Sequence, residues 1–341
     1  MRCHTGELGG MRFECCECGK DHTAGRSCGN RHCPNCQQGK TSQWLERQSK
    51  RLMPVHHFMI TFTVPSELRP ILQVHPKEGY NAIFRAARET LQELAKRRLG
   101  VASMGMLGVL HTWGRDPLTY HPHVHFIAPG GGVTADGMEW RSTPENFLFP
   151  KKDIARLYRD KFAEKMRDAE LHHLVPAEAW RRTWVVDLEP VRDGRAALKY
   201  LAPYIYRVAI SNKRIVACDE KQVRYEVTPT GQKKTIMRTV DGAQFVRGFI
   251  QHILPLRFAK VRNYGWMSQN TRTSVERVRQ LVQLFANRLY PEETDDTDEA
   301  PESLSNDHRC PECGGVMIIV AYLDDDCSAL VQHSQPFLDS G

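Results

Sequence analysis

The chain has 341 residues, 41% of them hydrophobic, with 47 Lys and Arg against 40 Asp and Glu for a formal charge of +7. That length predicts two or three folded units rather than one. The longest apolar run, residues 316–323, is far below the about 20 residues that cross a bilayer, and the opening "MRCHTGELGG" has no apolar leader segment, so no membrane partner is expected and the chain reads as cytoplasmic.

Residues 1–40 are rich in Cys and Gly and too poor in aliphatic residues to build an ordinary core. Eleven cysteines in a chain read as cytoplasmic point to metal ligands or free thiols rather than disulfides. Cys15 and Cys18 form one C-x-x-C pair and Cys33 and Cys36 a second, fourteen residues further on. Two such knuckles supply four thiolates for a tetrahedral Zn²⁺, whose binding would provide the folding energy this segment lacks. Cys28 is a further candidate, and with Cys3 and His32 it could equally serve a second site; spacing does not decide.

A short basic helix is predicted over residues 41–52, ending before Pro54. In "HHFMITFTVP", Phe58, Ile60, Phe62 and Val64 alternate with Met59, Thr61 and Thr63, the pattern of a half-buried strand stopped by Pro65. Helical spacing over 80–99 predicts a helix closed by Gly100. Residues 104–114 and 121–129 read as two strands of an antiparallel hairpin. On the second strand His121, His123 and His125 stand at two-residue intervals and share a face, and His111 on the first can reach it. Two such imidazoles with a third from the paired strand make a facial metal site that leaves positions open for substrate. The glycines that follow, Gly130, Gly131 and Gly132, read either as a turn or as a place for close backbone approach to a ligand.

Helices are predicted over 151–172 and 193–209 with a strand between them at 183–190, and Pro203 should kink or interrupt the second helix. Tyr200 and Tyr204 lie four apart on that helix and so stack on one side of it. Short strands around "TPTGQKK" and helices at 242–253 and 273–289 complete the body. Within it, "LRFAKVRNYGW" interleaves Arg257, Lys260 and Arg262 with Phe258, Tyr264 and Trp266, a pattern equally suited to gripping single strands and to burying aromatics. The run at 291–307 is acidic, contains Pro and lacks aromatics, as a disordered linker does. A lone C-x-x-C follows, Cys310 and Cys313, a half-knuckle whose partners could be His308, Cys327 or an aspartate of "DDD". Residues 291–341 carry thirteen acidic side chains against one basic, a balance of −12 that leaves +19 on residues 1–290. So basic a body predicts an anionic partner, nucleic acid first.

The motifs "LGG", "NRHCPNCQ", "FTVP", "VLHTWG", "HPHVHFIAPGGG", "KYLAPY", "RVAISNKRI" and "VRNYGWMS" occur in that order across most of the chain. In that combination the chain resembles the HUH single-strand endonucleases, and among them the rolling-circle insertion-sequence transposases of the IS91 type. The resemblance implies an α+β fold: an HUH endonuclease-like antiparallel sheet flanked by helices, preceded by a small cysteine-rich zinc-binding domain. The expected division is a zinc-binding domain at 1–50, a catalytic domain at 51–215, a DNA-contacting α/β extension at 216–290, the linker at 291–307 and a C-terminal tail at 308–341. By resemblance, His123 and His125 are the metal-binding pair and His111 the third ligand, holding Mg²⁺ or Mn²⁺, while Tyr200 and Tyr204 are the nucleophiles. Arg207, Lys213, Arg214, Arg257, Lys260, Arg262 and Trp266 are the expected DNA contacts. The implied reaction nicks and rejoins single-stranded transposon ends and target through a 5′-phosphotyrosine, in a bacterial, nucleoid-associated setting, with self-association open. A replication initiator or relaxase would use the same chemistry. An inactive, zinc-dependent DNA-binding relic of a transposon is the alternative from another class.

Overall fold

The computed structural model describes residues 3–30, 33, 38–206, 209–211, 214–229, 232, 234–285, 309–324 and 329–331. The chain divides into two compact units, Met1–Trp44 with Asp296–Gly341, and Leu45–Asp295. Strands β1 (Gly10–Cys15) and β2 (Asp21–Gly25) are followed by helix α1 (Gln38–Ser49), within which the division falls. Next come β3 (His57–Thr63), α2 (Arg69–Val74), α3 (Pro76–Leu94), β4 (Val101–Ser103), β5 (Met106–Trp113), β6 (Tyr120–Pro129), β7 (Gly131–Thr134) and β8 (Trp140–Ser142). Helices α4 (Lys151–Asp168) and α5 (Ala177–Arg181), strand β9 (Val186–Pro190) and helix α6 (Arg195–Tyr206) continue the chain. Strands β10 (Ile215–Cys218), β11 (Gln222–Val227) and β12 (Ile236–Asp241), helix α7 (Gly242–Ile250), β13 (Val261–Tyr264) and α8 (Val275–Phe285) complete the larger unit. Strands β14 (Met317–Leu323) and β15 (Ala329–Val331) return to the smaller one.

The larger unit is built on an antiparallel sheet of order β13-β5-β6-β3-β9. The alternation read in β3 holds: Phe58, Ile60 and Phe62 are fully buried, while Met59, Thr61 and Thr63 are partly exposed. Phe62, Phe126 of β6 and Tyr158 of α4 meet edge-on or tilted at 4.8–5.9 Å, and α3 packs beside them through Phe84. Residue pairing puts Phe62 beside Val124 and Leu110 beside Val124, so these line the core face, and the intervening residues line the other. Helix α3 ends in a π-wound turn, Ala95–Leu99, closed by Gly100 at φ +65°, a conformation that favours glycine. In α7 the Asp241 carboxylate caps the helix by accepting from the backbone N–H of Ala243 and Gln244.

Two features differ from the sequence expectation. Residues 216–290 do not stand apart from the catalytic body, because β13 adds the edge strand beside β5. The tail does not stand alone either: β14 pairs with β1 from Gly10↔Leu323 to Cys15↔Met317, giving a sheet of order β15-β14-β1-β2. The apolar run at 316–323 had its strand partner at the opposite end of the sequence, beyond the reach of local pattern. The expected linker at 291–307 lies outside the described residues.

Candidate active site and metal centres

His111 on β5 sits directly opposite His123 on β6, with His125 opposite Val109. Across the next ladder Thr61 and Thr63 of β3 pair with His125 and His123. All five side chains therefore project from the face away from the aromatic core. One nitrogen of each histidine lies within 4.8 Å of the others, and the ring centroids are 4.5–5.2 Å apart.

The donor set fits a divalent ion. His123 donates Nδ1–H to the His121 carbonyl at 2.7 Å, and His125 Nδ1 is 2.9 Å from Thr61 Oγ1, so each ring keeps its Nε2 for another partner. His111 Nε2 is buried and has no hydrogen-bond partner among the described residues, an arrangement that costs about 1–3 kcal/mol unless something binds there. Burial holds all three imidazoles in the neutral, ligating form: His125 is pushed down to about 4, and His111 and His123 well below the ordinary histidine range, helped by their mutual proximity. With no carboxylate in the group among the described residues, three nitrogens would suit Mn²⁺ better than Mg²⁺. His121 shares the face but not the cluster, because its Nδ1 is held 2.7 Å from Arg69 Nη2.

The tyrosines come to this face on α6. The turn joining β9 to α6 is tied to the start of β3 by Val191 N–H donating to the His57 carbonyl at 2.8 Å and His57 N–H to the Arg192 carbonyl. Ala197, Leu198, Leu201 and Ala202 bury the inner side of the helix, which directs Tyr200 and Tyr204 toward the histidines. The Tyr204 ring lies 4.8 Å from His111 and the Tyr200 ring 6.4 Å from His125, with 5.4 Å between the two phenol rings. Pro203 does not interrupt the helix as expected: α6 runs through it to Tyr206. Lys260 donates to the Tyr204 carbonyl at 2.5 Å and sits 4.8 Å over the Trp113 ring, bracing that last turn. Tyr200 is half exposed, and its phenol is pushed up to about 12, first by desolvation and then by Tyr204, against the pull of Arg115.

The cysteines group otherwise than their spacing suggested. Cys15 and Cys18 are joined not by Cys33 but by Cys310 and Cys313, and a second group unites Cys3, Cys28 and Cys33. Strand β1 delivers Cys15 to the tail through β14, while Cys28 N–H points to Cys3 Sγ at 3.4 Å. Cys36, His32, His308 and Cys327 lie outside the described residues. Thus Cys3 and Cys28, read as alternative ligands or as part of a second site, group with Cys33 in a second cluster, and Cys310 and Cys313 are joined by Cys15 and Cys18. A signal for that was present: both knuckles read C-x-E-C-G, at Cys15–Gly19 and at Cys310–Gly314.

The expected DNA contacts divide sharply. Trp266 is 1% exposed, so its indole cannot stack on a base, and Phe258 is likewise buried; here the interleaved aromatics serve the core. Arg214 is engaged by the Glu226 carbonyl, through Nε at 3.0 Å and Nη2 at 2.6 Å. Arg262 is held by Asn81 Oδ1 at 2.6 Å and lies over the Phe84 and Phe258 rings. Arg257 is exposed, and Lys260 belongs to the tyrosine site. Arg207 and Lys213 lie outside the described residues. Sequence reading missed Thr61, Arg69 and Arg115; the alternation in β3 already put Thr61 on the face opposite the phenylalanines. The glycines after β6 are packing positions rather than a ligand approach: a Cβ on Gly130 would lie 1.9 Å from His56 Nε2, and one on Gly132 would lie 2.7 Å from the Ser103 carbonyl.

Among the described residues no helix is long and apolar enough to cross a membrane. A family model described as "Putative transposase" matches residues 105–274, which hold the three histidines and both tyrosines, and one described as "Transposase zinc-binding domain" matches residues 1–64. The chain is 33% identical to "Putative transposase y4qJ" of Sinorhizobium fredii, over 94% of this chain and 87% of that protein. It is 28% identical to "Transposase for insertion sequence element IS801" of Pseudomonas savastanoi pv. phaseolicola, over 79% of this chain and 68% of that protein.

Proposed function

The chain belongs to the transposases of the IS91 type, which carry a zinc-binding domain at the N-terminus, and from that premise we propose that it nicks and rejoins single-stranded DNA through a tyrosine-linked intermediate. The observation that carries this reading is the convergence of His111, His123 and His125 with both tyrosines of α6 on one face of the sheet. The three histidines would hold Mn²⁺ or Mg²⁺, which when bound withdraws charge from a scissile phosphate and makes its phosphorus electrophilic. That help is needed, because a phenol pushed up to about 12, as at Tyr200, is almost wholly protonated at neutral pH.

In the proposed step, the hydroxyl oxygen of Tyr200 or Tyr204 forms a bond to phosphorus as the bond from phosphorus to the 3′ oxygen breaks. The phenol gives its proton to solvent and the departing 3′ oxygen takes one up, leaving a 5′-phosphotyrosine and a free 3′-OH. Since one phosphodiester replaces another, the 3′-OH of a second strand can reverse the step at a new position without an external energy source. Two tyrosines a helical turn apart let one hold a donor end while the other cuts. Thr61 and the His121 carbonyl keep the imidazoles oriented, Lys260 fixes the turn bearing Tyr204, and Arg69, Arg115 and the exposed Arg257 provide positive charge for the DNA backbone.

The test incubates the purified chain with labelled single-stranded DNA from the element's ends and Mn²⁺ or Mg²⁺, followed by a denaturing gel. A covalent protein–DNA adduct is expected, retained in Tyr200→Phe or Tyr204→Phe and absent from the double variant. Absence of an adduct with either ion while DNA binding persists would sink this reading in favour of an inactive DNA-binding relic.

A further inference from the structure

We infer that Cys15, Cys18, Cys310 and Cys313 bind a single zinc ion that fastens the beginning of the chain to its end. The matched zinc-binding segment stops at residue 64, yet half of this site is Cys310 and Cys313, with Cys310 lying 292 positions after Cys18. Cys15 Sγ lies 3.4 Å from Cys313 Sγ, and Cys18 Sγ 3.7 Å from Cys310 Sγ. Zn–S bonds of about 2.3 Å in a tetrahedron place sulfurs roughly 3.8 Å apart, whereas a disulfide would bring two of them to about 2.05 Å.

The two half-sites are built alike. In the first, Cys15 N–H donates to the Lys20 carbonyl and Gly19 N–H to the Cys15 carbonyl; in the second, Cys310 N–H donates to Gly315 and Gly314 N–H to Cys310. Each turn is closed by a left-handed glycine, Gly19 at φ +67° and Gly314 at φ +76°, where a Cβ would meet nothing within 4 Å. Glycine is required there by the backbone and not by space, as expected of knuckles shaped to aim two thiolates at one point. Outer donors are also in place: His22 Nε2 is 3.6 Å from Cys310 Sγ, and Gly315 N–H is 3.4 Å from Cys313 Sγ. The β1–β14 ladder sets the register of the halves, and Lys20 pairs with Glu312 across them. Among the described residues the apolar cluster at this place is small: Phe13, Cys15, Cys310 and Met317, with Met11 and Ala24 beside it.

The experiment measures zinc per full-length chain in Cys15→Ser/Cys18→Ser, in Cys310→Ser/Cys313→Ser and in the quadruple variant. Each double variant should lose one equivalent relative to the unaltered chain, and the quadruple should lose no more than either. A tail variant that keeps all its zinc, or a quadruple that loses two equivalents, would overturn the inference. Misfolding is separated from ligand loss by Cys313→His, which should retain the ion while altering the Co²⁺ absorption spectrum; an unaltered spectrum counts against Cys313 as a ligand. As a second readout, a protease site is placed in residues 291–307 and cut. The C-terminal fragment should stay with the rest of the chain until a strong chelator is added, and release without chelator would also overturn the proposal.

Discussion

The two units differ in what keeps them folded. In Leu45–Asp295 the sheet and helices α3 and α4 enclose Phe58, Ile60, Phe62, Phe84, Phe126, Tyr158 and Phe162, each without exposed surface. Fully burying a large apolar side chain contributes about 1.5–3 kcal/mol, so such a cluster can offset the ordering of the chain around it. Among the described residues, the apolar cluster of the cysteine unit comprises Phe13, Cys15, Cys310 and Met317 with Met11 and Ala24 beside it, against an ordering cost of about 1–2 kcal/mol for each residue. Its pairing of β1 with β14 closes nearly the whole chain into a loop, although that cost grows only slowly with length. One unit is stabilised by burial, and the other is arranged around clustered cysteines that a metal ion would gather.

That contrast can be broken in either direction. The largest effect expected is from zinc removal, since structural zinc contributes on the order of 10–16 kcal/mol to the folding of small domains. Chelation should abolish amide-exchange protection in β1 and β14 while leaving β3, β5 and β6 protected; equal loss in both sets would mean that the units do not depend on different terms. The converse change is Phe62→Ala, which empties the contacts with Phe126 and Tyr158 and should cost the larger unit about 3–5 kcal/mol. Zinc content should be unchanged in that variant, and a parallel fall would contradict the division.

Acid supplies a third probe. His57 is buried at the start of β3, donates Nδ1–H to the Val55 carbonyl at 2.9 Å, and is pushed down to about 4 by desolvation, with Asp193 pulling upward and His56 downward. Because its folded value lies below the unfolded one near 6.5, its contribution is complete above about pH 6.5 and is lost as pH falls toward 4, by about 3 kcal/mol in all. The stability of the larger unit should therefore drop across that window, and His57→Gln should flatten the drop; an unchanged slope would assign it to other groups. The smallest change expected is local. Asp241→Ala removes the cap of α7 and should cost about 1 kcal/mol by denaturant melting, with no change in adduct formation.

What was legible in the sequence was whatever local periodicity encodes. The alternation of β3, the hairpin that sets His111 against His123, the helix carrying Tyr200 and Tyr204, and the closure of α3 at Gly100 all rest on contacts between near neighbours. Long-range pairings were not legible. Spacing pairs Cys15 and Cys18 with the nearest second knuckle and says nothing of a partner 292 positions away, as Cys310 is from Cys18. Interleaved cations and aromatics look the same whether the rings face a base or a core, so the pattern around Trp266 suits DNA as well as a core, and burial alone separates the two. Pro203 is the reverse case: a strong local rule against helix continuity is overridden where buried Leu198, Leu201 and Ala202 hold α6 to the sheet.

The pairing of β1 with β14 also sets an order of events during synthesis. Residues 10–15 leave the ribosome long before their partner strand, residues 317–323. The larger unit can fold before residues 317–323 are made, as domains generally do, whereas the cysteine sheet must wait for them. A polypeptide that stops before residue 317 thus carries the histidines and tyrosines without a finished cysteine sheet.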